Sequence, residues 1–215
     1  MEQIIRQAVS GKIDRVNVDA FCAAAGIDVF QLCNDIALEV AKRFDSGTMS
    51  HEDGDNVMNT IVGLMTDDDA AGHPLAEPAW SIYEAFDDGR NVRRYGADPV
   101  GSYTRPTIRG LLKRQEAENI FASGDANEIA SALIDIALHD RDWCWVQNKC
   151  LGFARDGNPV VRQAAVTCLG HVARIHRELD LETVLAVLNE LSGDPAVTTE
   201  DALDDIRIFI RNAAP

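Results

Sequence analysis

The sequence is short of basic charge, aromatic side chains and long apolar runs, and each shortage closes off a class of function. Twenty Lys and Arg stand against 35 Asp and Glu, for a formal charge of −15. That sign repels phosphate backbones and sets aside direct binding of DNA or RNA. No stretch approaches the roughly 18 to 20 uninterrupted apolar residues a bilayer demands. Glu2 and Arg6 fall where a signal peptide needs its apolar region, so a cytoplasmic protein with no membrane contact is expected. The five cysteines, Cys22, Cys33, Cys144, Cys150 and Cys168, are odd in number and include no CxxC pair. This excludes a disulfide framework and a structural zinc site and leaves reduced thiols, mostly buried.

What is present is globular: 46% hydrophobic and 26% charged residues in a chain of 215, enough for one large domain or two small ones. Period-2 alternation is missing, while apolar residues recur at spacings of three and four, so the expected fold is all-α. Helices are predicted over Glu2 to Val9, Val18 to Ala25 and from Asp28 to about Gly47. A capping-box variant, Ser50 with Asp53, precedes another through Met65. Pro78 and Gly89 bracket a helix over Ala79 to Phe86. Arg90 to Arg105 contains Gly96, Pro99 and Gly101 with little periodicity and reads as a loop. It divides an N-terminal helical module (1–89) from a second domain (106–215), with 90–105 as the linker. Beyond it come helices over Pro106 to Ala122, Ala126 to His139, Asp142 to Ala154, Pro159 to His176, Leu181 to Leu191 and Pro195 to Ile210. Their short joints make consecutive helices antiparallel neighbours, that is, three hairpins in a row.

Chemistry was sought among the polar side chains. His51, His73, His139, His171 and His176 show no metal-ligand spacing, since His171 and His176 are five residues apart rather than four. Asp53-Gly54-Asp55 could open a calcium loop, but its twelfth position is Leu64 instead of Glu. Cys144 near His139 could pair a thiol with a base, yet Trp143, Val146, Cys150, Leu151 and Ala154 follow helical packing spacing. Neither a GxSxG elbow nor a glycine-rich phosphate loop occurs. The expectation is therefore no catalytic residue, no cofactor and no metal.

The charge is unevenly spread. From Asp45 to Gly89 there are eleven acids and no base, and from Glu178 to Ile206 nine acids and no base. Between them Arg90 to Arg114 carries seven bases, Arg90, Arg93, Arg94, Arg105, Arg109, Lys113 and Arg114, against Asp98 alone. Pairing of these bases with Asp67 to Asp69 or Asp87-Asp88 is expected, stapling the two halves together. The carboxylates available to a basic ligand are then Asp67, Asp68, Asp69, Asp87 and Asp88 in the first half, with Glu200, Asp201, Asp204 and Asp205 in the second.

One stretch carries a family resemblance. Asp156-Gly157-Asn158-Pro159-Val160-Val161-Arg162-Gln163-Ala164-Ala165, followed by Leu169-Gly170 and Ala173, resembles the second-helix signature of HEAT repeats. Pro195 and Val197 give a weaker copy 36 residues on, near the HEAT period. The resemblance implies an α-solenoid of about three hairpins over 106–215, in which Ala165 and Gly170 let a neighbouring helix approach closely. In physical character the chain also resembles the immunity proteins of bacterial contact-dependent and other polymorphic toxin systems. That likeness implies a non-catalytic monomer forming a one-to-one complex with a cognate toxin domain, basic and often a nuclease. A general HEAT scaffold or adaptor, or a HEAT-framed enzyme such as a lyase, are the alternatives.

Overall fold

The structure, a computed structural model, describes residues 2–10, 13, 15–66 and 77–210. Among these the fold is all-α, as expected. The helices are α1 (Glu2–Val9), α2 (Arg15–Ala25), α3 (Val29–Asp45), α4 (His51–Thr66), α5 (Ala79–Asp88), α6 (Val92–Tyr95), α7 (Arg105–Ser123), α8 (Ala126–His139), α9 (Trp143–Phe153), α10 (Pro159–His176), α11 (Leu181–Leu191) and α12 (Glu200–Phe209), with a π-helical turn at Val100–Thr104. Contacts cluster into two units, Met1–Lys113 and Arg114–Pro215, each with its own apolar core.

In the first unit α3 begins where an Asp28 carboxylate oxygen accepts the Gln31 amide at 2.7 Å, satisfying one of the orphan N–H groups of the first turn. Leu32, Cys33, Ile36, Ala37, Val40, Ala41 and Phe44 then fall on one buried face, which packs against α4 and α5. At the head of α4 the Ser50 hydroxyl accepts the Asp53 amide at 3.0 Å and donates to its carboxylate at 2.8 Å. Asp53 and Asp55 therefore lie within a helix and cannot wrap a calcium ion. Gly54 is required by packing: a Cβ there would lie 2.5 and 2.7 Å from the Phe86 ring. That ring meets Phe44 edge-on at 5.1 Å, and His51 Nε2 lies 3.1 Å from the Phe86 carbonyl oxygen.

The expected loop at 90–105 instead contains α6 and the π-helical turn. Asn91 caps α6, accepting the Arg94 amide at 3.1 Å, and Asp98, just before the π-helical turn, accepts the Gly101 amide at 2.8 Å. Such local bonds order a turn without any apolar periodicity to announce it. The Thr104 hydroxyl, fully buried, donates to the Ala85 carbonyl at 2.9 Å.

In the second unit α10 is central, packing against α8, α9 and α12. Asn158 accepts the Val160 amide at 2.9 Å, Pro159 occupies the first turn, and nine residues of α10 are buried. Gly170 admits α12 closely, since a Cβ there would lie 3.0 Å from the Ala202 Cα and 3.1 Å from Asp205 Oδ2. One boundary needs correction. The last helix starts at Glu200 rather than Pro195, because Asp194 accepts the Ala196 amide through its side chain and the Val197 amide through its carbonyl, closing a turn. Pro195 and Val197 thus lie outside a helix and are not structural counterparts of Pro159 and Val161.

Arg162 ties this turn to the one before α10. It donates to the Asp156 and Gly157 carbonyls at 2.9 and 3.1 Å and to Asp194 Oδ2 at 2.8 and 3.0 Å. The bond from the Ala196 amide and the Arg162 guanidinium hold the Asp194 carboxyl below the usual carboxylate value of 3.8. Replacing Arg162 by alanine is expected to remove about 2 to 4 kcal/mol of unfolding free energy at neutral pH, measured by urea denaturation. Because the folded-state pKa of Asp194 is depressed, its contribution is full above pH 3.8 and is lost as pH falls through the lower value. The Arg162→Ala protein should accordingly show a shallower acid dependence.

Candidate acidic interface

Asp87 and Asp88 close α5, and both are engaged inside the first unit. Arg90 pairs with Asp87 and reaches Asp55 Oδ1 at 3.3 Å. That buried Asp55 oxygen makes no hydrogen bond, so the contact is one of charge alone. Asp88 accepts the Tyr95 hydroxyl at 2.9 Å and lies 3.7 Å from Arg94. Tyr95 stacks on Tyr103 with centroids 4.1 Å apart. Burial, then the bond to Asp88, pushes the Tyr95 phenol up to about 12. Asp87, Asp88, Arg90 and Arg93 line an open cavity of 520 Å³, whose carboxylates are paired with Arg90 and Arg94.

The expected pairing of the basic run with Asp87 and Asp88 is present, and two further acids join it. Arg109 bonds Asp45 at 2.6 Å, and Asp55 shares Arg90. Arg105 caps the Phe44 and Asp45 carbonyls at 3.3 and 3.4 Å while lying over the Phe44 ring. Asp67, Asp68 and Asp69 lie outside the described residues. Arg109, placed by the sequence in the second half, bonds Asp45 of the first, as a staple between 1–89 and 106–215 would. The contact units divide at Lys113 instead, so Arg90, Arg94, Arg105 and Arg109 make these bonds within Met1–Lys113, and Arg114 makes its own within Arg114–Pro215, to Asp140 at 2.5 and 2.6 Å.

The carboxylates of α12 stand differently. Glu200 and Asp201 are exposed in its first turn and have no basic partner among the described residues. Asp204 meets Arg207 at 3.0 Å, an exposed pair of the kind worth well under about 1 kcal/mol. Asp205 is set apart: its side chain is 25% exposed, lies 3.9 Å from Arg174 and sits over Gly170. The packing of Ala202 and Ile206 into the core turns the Glu200, Asp201 and Asp204 face outward. Periodicity makes that face foreseeable from sequence, whereas the separate role of Asp205 depends on Gly170 and Arg174, distant in the chain.

No protein family model matches the chain. A chain in a solved crystal structure of a CDI complex from Cupriavidus taiwanensis is 39% identical to it. The match covers 44% of this chain and 88% of that one at a TM-score of 0.42.

Among the described residues no group of three or more His, Cys, Asp or Glu comes together as a metal site. His139 Nδ1 bonds the Asp135 carbonyl at 3.0 Å. Cys22, Cys33, Cys150 and Cys168 are buried and Cys144 is exposed. Burial pushes the Cys33 thiol up to about 12, and contact with Cys168, then burial, raises Cys150 as well. With a thiol reagent at pH 8 the native protein should label at Cys144 within minutes and at the other four only on unfolding. Mass spectrometry would detect it, and fast labelling of Cys33 or Cys150 would contradict the packing described.

Proposed function

We propose that this protein is a non-catalytic immunity protein, binding and neutralising a basic toxin domain through acidic surfaces. The observation that carries the reading is the outward face of α12, where Glu200, Asp201 and Asp204 present carboxylate charge that the fold itself does not consume. In the first unit Asp87, Asp88 and Asp45 are engaged by Arg90, Arg94 and Arg109, and α12 is the surface this reading assigns to a cationic ligand. Asp87 and Asp88 would contribute by exchanging their internal arginines for a partner's. The described helices contain none that is long and apolar enough on its own to cross a membrane.

The second unit is read as a short HEAT-like stack. The packing of alternate helices α8, α10 and α12 supports it, with Asn158, Pro159 and Gly170 acting as the motif requires. The chain similar to this one belongs to a CDI complex; at that TM-score the likeness stands beside the reading and adds no weight to it.

The test uses the C-terminal domain of the protein encoded directly upstream of this gene, where this reading places the toxin. Mixed with the purified protein, it is expected to elute as a one-to-one complex and lose its toxic activity, with association slowing steeply as salt rises. Separate elution with undiminished activity would reject the reading.

A further inference from the structure

The C-terminal ends of α10 and α12 lie side by side. Gly170 faces Ala202 and Asp205, and Arg174 meets Asp205 at 3.9 Å, so the two helices run in the same direction and finish together. At that end is an open groove of 720 Å³ lined by Trp143, the stretch Arg177 to Leu179 and the stretch Ile208 to Ile210. Ile208 is 70% exposed at a concave surface whose lining is polar and apolar in about equal parts. A lone exposed isoleucine needs no explanation, but one at the rim of a groove that pairs Trp143 and Leu179 with charged groups has the mixed anatomy of an interface.

Charge indicates the occupant. Asp201 and Asp204 precede Ile208 by seven and four residues, which puts them on the same helical face, and Glu200 stands beside them. Glu178 lies across the groove, within a stretch of nine acids without a base from Glu178 to Ile206. Of the described arginines at this end, Arg174 and Arg207 meet Asp205 and Asp204, and Arg177 lines the groove beside Glu178. We propose that the groove receives an apolar side chain projecting from a basic segment of the toxin domain, the carboxylates of α12 meeting the bases that flank it. This inference rests on the toxin-binding reading and assigns it a centre: burial of one side chain holds the complex together, while surrounding charge governs its formation.

The probe is the toxin domain encoded directly upstream, titrated by biolayer interferometry against the full chain. Ile208→Asp is expected to weaken binding at least tenfold, mostly through faster dissociation, and Ile208→Ala by about fivefold. Val160→Asp, at the opposite end of α10, should leave the affinity unchanged. Circular dichroism should show both Ile208 variants folded, since the residue contributes little to the core. Equal affinities for wild type and both Ile208 variants would overturn the groove and leave the immunity reading standing. No binding by the wild type would overturn both. Tighter toxin binding by a chain truncated after Ile210 would assign the groove to the chain's own last five residues instead. A wild-type dimer in sedimentation that Ile208→Asp makes monomeric would assign it to a second copy.

Discussion

Replacing Glu200, Asp201 and Asp204 together by lysine is expected to slow association with a basic toxin domain by about tenfold to a hundredfold at 50 mM salt. Complementary charge acts chiefly on encounter: steering accelerates on-rates by roughly 10 to 1000 fold, and opposing charge reverses the gain. The reversal swings the face by six units of charge where, among the described residues, Arg207 is the one counterion paired with it. Screening sets the second expectation, because the Debye length falls from about 10 Å at 0.1 M salt to about 3 Å at 1 M. The rates of wild type and variant should therefore converge as salt rises, which stopped-flow fluorescence would record. Asp205 is left intact on purpose. It sits over Gly170 and near Arg174, so its reversal would disturb the α10 to α12 packing and confuse a charge effect with a folding one. Glu200 and Asp201 also complement the dipole of α12, worth about 0.3 to 1 kcal/mol each, so a small fall in melting temperature accompanies the kinetic change. Association as fast as wild type at low salt would remove α12 from the interface.

The second large effect concerns the first unit. Phe86→Ala should cost about 3 to 5 kcal/mol of unfolding free energy, because the ring is fully buried against Phe44, His51 and Gly54. Gly54→Ala brings two opposed effects. Alanine gains about 1 kcal/mol of helix propensity over glycine, but its Cβ would lie 2.5 Å from a ring that the core holds in place. Overpacking of this kind costs about 1 to 3 kcal/mol, so the single variant is expected to be destabilised. With the ring removed, the sign reverses: Gly54→Ala in the Phe86→Ala background should recover about 1 kcal/mol. Urea denaturation of the four proteins yields the coupling. Effects that add within 0.5 kcal/mol would show that the ring does not lie over Gly54.

These two sites differ in how far they can be read from sequence. The helices were legible where capping residues sit at the edge of a periodic pattern. Asp125, Asn158 with Pro159, and Asp180 place the starts of α8, α10 and α11 where their side chains accept first-turn amides. The start of α12 was not, because Asp194-Pro195 has the composition of a helix start while its hydrogen bonds close a turn instead. Likewise α6 exists through a single Asn91 cap, which no apolar spacing reveals. For the candidate interface, pairing of Asp87 and Asp88 with nearby arginines was legible from sequence, whereas Asp45 and Asp55 become internal counterions only because folding brings Arg109 and Arg90 to them. What remains outward on α12 is decided by which face Ala202 and Ile206 bury. The groove at Trp143, Leu179 and Ile208 joins three distant segments and leaves no mark in the linear pattern.

Protection in a living cell tests the central claim most directly. The toxin domain encoded upstream is induced in a sensitive bacterial host with and without this chain, and colony counts are followed. Survival close to that of uninduced cells is predicted when the chain is present, falling with the Glu200, Asp201 and Asp204 reversal. Killing at the same rate whether or not the chain is produced would contradict the account.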